Sequence, residues 1–260
     1  MKSIGVPGRL LVAGTVFAAL VACSDADYNA PTGQTQMDHE MAMPDEALMA
    51  RIVADDAEYL VQLGLVRGHL FVGNQLYLLG ELAEAVTHMK HPESELYAEL
   101  VPGLESREAA TFADELQGYA MAVEAGERDE VTQARYRTLN AAIARAENRV
   151  EDLTAGQAAA VVSGLLAHVD EEYSLAVNRS GRLQNAHEYQ DSMGFVNVAG
   201  DYIARIGTLT DNQAGVQGLE AQLTFLRAVF PSVVPPTTGL TPPETVSDLI
   251  VRINTTLGGF

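Results

Sequence analysis

The sequence predicts an all-α fold, a helical bundle of antiparallel hairpins, and three observations predict it. From Asp45 almost to the C-terminus, apolar residues recur at spacings of three, four and seven, the period of a helix that buries one face. Helix starts and stops punctuate that pattern, with glycines at positions 80, 126 and 181 and a Thr154–Gln157 pair. No stretch shows the strict alternation of a half-buried strand.

Taken in order, Leu48, Ile52, Tyr59, Leu60 and Leu63 form the first helical stripe. Gly64, Gly68 and Gly73 weaken that helix or let a neighbour approach closely. Over residues 68–100 the offsets of Gly73, Leu76, Gly80, Leu82, Ala85 and Met89 resemble the two-helix tetratricopeptide hairpin, with a turn at Gly80 and close packing at Ala85. Pro92 arrives too early for that family and no 34-residue period recurs, so the resemblance implies one hairpin of similar design. A helix over 106–125 carries Phe112, Leu116, Tyr119 and Val123. Another over 127–152 carries Val131, Tyr136, Leu139, Ile143 and Val150.

Thr154 and Gln157 read as a capping box for the helix through Val161, Leu165, Val169 and Tyr173. A turn at Arg179–Gly181 leads to its antiparallel partner over 182–206, and residues 210–213 cap a helix through Leu219 and Phe230. The proline-rich stretch 231–243 cannot be helical and is expected to be an ordered extended strap. Thr241 to Glu244 reads as a second capping box, with proline opening a short C-terminal helix. Gly181, Leu183 and Ala186 repeat the offsets of Gly80, Leu82 and Ala85, with His187 and His88 following. Either a duplicated hairpin or chance accounts for this, which makes 45–152 and 153–260 candidate halves of one domain, 45–260.

Ahead of that domain, a basic start (Lys2, Arg9) and an apolar run from Leu10 to Val21 lead into Leu20-Val21-Ala22-Cys23. The run falls short of the roughly 20 residues that a membrane span needs. These four residues resemble the lipobox of bacterial lipoproteins. The resemblance implies that residues 1–22 are a signal peptide, that Cys23 carries a thioether-linked diacylglycerol, and that its new amino group takes a fatty acid of the palmitate type. Acyl chains of that number hold a protein on a bilayer. Ser24 after the cysteine favours the outer membrane, facing the periplasm. Residues 23–44 are polar, with Pro31, Gly33 and Pro44, and read as a flexible tether.

Composition excludes more than it assigns. The net charge of −19 repels nucleic acid and anionic lipid surfaces. Cys23 is the only cysteine, so neither disulfides nor thiol catalysis is available once it is acylated. There is no GxSxG, no HExxH, no glycine-rich phosphate loop and no haem-attachment motif. The aromatic set Phe71, Tyr77, Tyr97, Tyr173, Tyr189, Phe195 and Tyr202 reads as core.

The six histidines carry what chemistry remains. Glu84, His88 and His91 stand four and three residues apart, one face of a helix. His168 precedes Glu171 and Glu172, and His187 precedes Asp191 by four. Imidazole and carboxylate converging from packed helices make a site for copper or iron, with Glu84, His88, His91, His168 and His187 as candidate ligands. The alternative is that these histidines are satisfied at helix ends and grooves. Met37, His39, Met41 and Met43 resemble the short Met/His runs of periplasmic copper-handling proteins and would form a capture arm.

Three functions are therefore expected, in descending order. The first is a non-enzymatic, membrane-anchored binding or adaptor module that grips an envelope protein in its helical grooves. The second is a periplasmic metal-handling protein for copper or iron, and the third an enzyme using carboxylate and histidine as acid and base. Helical imelysin-like iron-uptake lipoproteins are a thematic parallel whose motif is not found here.

Overall fold

A computed structural model of the chain describes residues 45–92 and 96–260; the signal peptide, Cys23, the tether and the Met37–Met43 arm lie outside the described residues. The first apolar stripe is not one helix but two, α1 (Glu46–Ala54) and α2 (Asp56–Leu79). The break is one residue long. Asp55 is extended, and its carboxylate accepts from the Ala57 and Glu58 amides, so it ends one helix while capping the next.

Gly80 closes α2 with φ of 85°, a left-handed turn open to glycine. The chain then returns as α3 (Leu82–His91), so the expected hairpin forms. Gly73 makes that return close: a Cβ there would overlap the end of Met89 and sit 3.3 Å from the Ala85 carbonyl.

The helix expected over 106–125 forms only as α5 (Ala113–Glu124), and a further helix, α4 (Tyr97–Ser106), precedes it. Arg107 is the cause. Its guanidinium donates to Asp56 Oδ1 at 2.8 and 3.0 Å and to the Ile52 carbonyl at 3.0 Å, and lies 4.2 Å from the Tyr59 ring centroid. That anchor holds the chain out of helix, and Glu108 next to it adopts φ of 51°. α6 (Asp129–Glu147) packs on α5.

The second half is a ring of four helices, α7 (Ala155–Ala176), α8 (Ala186–Leu209), α9 (Gln213–Arg227) and α10 (Pro243–Leu257). Each packs on the next, and α10 closes back onto α7. Thr154 forms the expected capping box with Gln157. Within the expected 210–213 cap, Asn212 is the residue that caps α9, through the Gly215 amide. The second expected capping box is corrected: α10 opens on a proline as expected, Pro243 after Pro242, but no side chain caps it. α8 starts at Ala186, four residues later than expected, because Val177–Leu183 and Arg182–Thr238 pair as isolated bridges.

The strap between α9 and α10 is ordered and extended. Its Leu240 amide donates to the Gly181 carbonyl at 3.1 Å, and the Tyr173 hydroxyl donates to its Thr241 carbonyl at 2.9 Å. Val233 and Leu240 are buried. α2 joins the two halves, packing against α3 and α6 of the first and α7 and α8 of the second. Tyr77, Tyr173, Tyr189, Phe195 and Tyr202 all lie in the core. The fold is all-α: among the described residues there is no strand, and no helix is long and apolar enough to cross a membrane.

Candidate functional site

The crossing of α2 and α8 is the closest helix approach that the glycines permit. A Cβ on Gly194 would run into the Gly68 carbonyl, and one on Gly68 would sit 2.5 Å from a Phe195 ring carbon. Backbone therefore meets backbone at this point. The neighbours of the two glycines carry the chemistry: His69 follows Gly68, and Asp191 lies one turn before Gly194.

Asp191 is the centre. Its side chain is 2% exposed, which is costly for a carboxylate without partners. Three imidazoles supply them. His69 Nδ1 lies 2.6 Å from Oδ1, His88 Nδ1 lies 2.9 Å from the same oxygen, and His187 Nδ1 lies 3.0 Å from Oδ2. His91 closes the group, edge-on to His69 at 4.9 Å and to His187 at 5.1 Å between centroids. His88 and His187 stack in parallel, 4.1 Å apart at an interplanar angle of 2°. Four histidines from α2, α3 and α8 thus surround one acid.

Burial by itself would raise the Asp191 pKa. The charge of His69 and the contacts with His187, His69 and His88 outweigh it and hold the group well below the usual carboxylate range. Asp191 is therefore an acceptor.

The proton on His88 can be placed from its other side. Gln190 Nε2 donates to the Val233 carbonyl of the strap at 3.1 Å, which turns Gln190 Oε1 toward His88 Nε2 at 2.8 Å. A carbonyl oxygen only accepts, so His88 carries a proton on Nε2. Its Nδ1 is the nitrogen that faces the Asp191 oxygen. His69 Nδ1, His88 Nδ1 and Asp191 Oδ1 are all buried and make no aligned hydrogen bond despite their close approach. His88 Nδ1 and Asp191 Oδ1 thus lie 2.9 Å apart without an aligned hydrogen bond.

An acidic pair, Glu172 and Glu188, borders this centre. Burial first, then the hydrogen bond and charge of Glu188, with added charge from Asp191 and Glu171, push the Glu172 carboxyl up to about 9.

Of the predicted ligands, the structure brings His88, His91 and His187 together. Two are corrected. Glu84 is exposed and outside the cluster, because the inward face of α3 is Ala85, His88 and Met89. His168 is half-buried on α7 and is not among the grouped donors. Its ring packs against Phe195 at 6.2 Å, as does that of His69 at 5.2 Å. Burial lowers its pKa. The sequence reading missed His69, Gln190 and the central part played by Asp191. His69 has no titratable neighbour at helical spacing, and only Gly68 beside it marked the place. Met37, His39, Met41 and Met43 lie outside the described residues.

Fold and site together define an α-helical protein with a buried histidine–aspartate centre. Residues 151–259, which hold α7 to α10, match the model of the iron permease-associated 4-helix bundle domain. The matched stretch contributes His187, Gln190 and Asp191, whereas His69, His88 and His91 come from the helices before it. No curated protein and no solved structure matches the chain.

Proposed function

We propose that this chain is a metal-binding protein of the bacterial envelope, and that its ion is a divalent first-row transition metal, iron first among them. One observation carries the reading: the Nδ1 atoms of His69, His88 and His187 converge on the buried Asp191 carboxylate at 2.6, 2.9 and 3.0 Å. Imidazole nitrogens and a carboxylate converging in one buried place are donors that a divalent cation can share. Two ligand atoms at a right angle about 2.1 Å from one metal stand roughly 3 Å apart, so the spacing suits shared coordination. Gln190, held by the strap, orients His88 in the way that outer partners orient metal-binding imidazoles.

Two imidazoles with one carboxylate, His69, His88 and Asp191, are the donor set of non-haem Fe(II) sites that keep open positions. The matched domain's description, which names an iron permease association, favours iron as well. The adaptor reading rests on helical hairpins alone, whereas the metal reading rests on converging side chains, so their expected order is reversed. Copper stays as the second ion to test, because imidazole binds Cu(II) and the Met37–Met43 segment suits Cu(I).

In this proposal Cys23 carries the lipid, and the domain sits on the outer membrane facing the periplasm, where the ion is held rather than transformed. Mass spectrometry of the native N-terminal peptide is expected to show a triacylated Cys23; a free thiol there ends the anchor. For the centre, the chelator-treated chain is titrated with Fe(II) without oxygen. Saturable uptake is expected in the parent and lost in Asp191→Asn and His69→Ala at unchanged helix content. A parent that takes up neither Fe(II) nor Cu(II) ends the metal reading.

A further inference from the structure

The cluster holds more donors than one ion uses, and they divide in two. His69, His88 and Asp191 form one convergent group, all buried; His91, His187 and Asp191 form another, with both histidines half-buried. Asp191 belongs to both groups. Its two oxygens are shared out between them, Oδ1 to His69 and His88 and Oδ2 to His187.

Resting on the metal reading above, we propose that the centre holds a pair of ions bridged by Asp191, an inner one on His69 and His88 and an outer one on His91 and His187. The stacked pair sets the spacing. His88 and His187 are parallel and 4.1 Å apart, and each turns its Nδ1 toward a different oxygen of the same carboxylate. Ions bound in line with these two nitrogens lie side by side at about 4 Å, the separation of carboxylate-bridged two-metal sites. A single ion would leave one imidazole of the stacked pair with no part in coordination. Asp191 is the one carboxylate in both groups, and its two oxygens face the two sets of imidazoles. The outer position, lined by the less buried histidines, is the one through which ions enter.

Co(II) is the probe, because it takes nitrogen and oxygen donors as Fe(II) does and reports by both visible absorption and electron paramagnetic resonance. The full chain carries His39→Ala throughout, so that the N-terminal segment offers no imidazole. Two equivalents are expected in the parent, with a resonance signal that integrates to well under two isolated ions because the pair is coupled. His187→Ala is expected to take up one equivalent and to recover the full signal of a single uncoupled ion. If His187→Ala does not fold, His91→Gln is expected to give the same result. One equivalent in the parent overturns the ion pair and leaves the single-ion reading standing; two equivalents with two uncoupled signals also overturn the bridge. No uptake at all overturns both.

Discussion

Two clusters of charged groups lie where α2 faces α8, and they are built in opposite ways. Around Arg67, opposite charges meet with aligned hydrogen bonds: Nη2 donates to Asp201 at 2.6 Å, Nη1 donates to Glu147 at 3.2 Å, and the Tyr202 hydroxyl donates to Glu147 at 3.4 Å. Burial works against the Arg67 charge, yet Glu147 and Asp201 outweigh it, and Arg67 holds its proton more firmly than an ordinary guanidinium. Two residues further along α2, His69 meets Asp191 at the same 2.6 Å without an aligned hydrogen bond. The first cluster satisfies itself and serves the fold. In the second, Nδ1 of His69 and His88 approach Asp191 without aligned hydrogen bonds, and the proposed metal would act on that difference.

The largest effect that would break this contrast is at Asp191. Asp191→Asn is expected to lower Fe(II) affinity more than 100-fold, measured by anaerobic titration, because it removes the charge that both donor groups share. Next comes Gln190→Leu, which frees the His88 ring to take its other tautomer. A loss of about 10- to 100-fold in affinity is expected, the usual cost of removing a partner that orients a metal ligand. An unchanged affinity would mean that His88 is oriented by packing alone.

Arg67→Met sharpens the contrast from the other side. It leaves Glu147 without its cation and is expected to cost about 1–3 kcal/mol in denaturant unfolding. Added Fe(II) should still raise its melting temperature as in the parent, since an ion that binds only the folded state stabilises it. In Asp191→Asn the same addition should do nothing.

The smallest effect is at Glu172, whose pKa rises from 4.5 to about 9 on folding. Between those values the folded chain binds more protons than the unfolded chain, so its stability falls as pH rises through the window. Glu172→Gln removes that slope. Its gain in melting temperature over the metal-free parent is expected to be near zero at pH 4.5 and to grow toward pH 9. The half-exposed position keeps it modest.

Much of the fold was legible because helices announce themselves locally. The Gly80 turn, the Thr154 capping box and the strap all follow from residues within one turn of each other. The break at Asp55 was legible too, since Asp55 followed by Glu58 is a helix-start pattern, but the continuous apolar stripe concealed it. The region 107–112 was not legible, because Arg107 reaches α1 and α2, some fifty residues earlier in the chain.

At the centre, helical spacing singled out His88, His91 and His187, and it misled at Glu84. Spacing says which side of a helix a residue occupies and says nothing about how deeply that side is packed. By itself, then, the sequence determined the helices, their caps and three histidines of the cluster, because these depend on neighbours within one or two turns. Only the tertiary structure decided that His69 and Asp191, more than a hundred residues apart, would meet. That meeting depends on two glycines, Gly68 and Gly194, being on facing helices, a coincidence in space that no local pattern records.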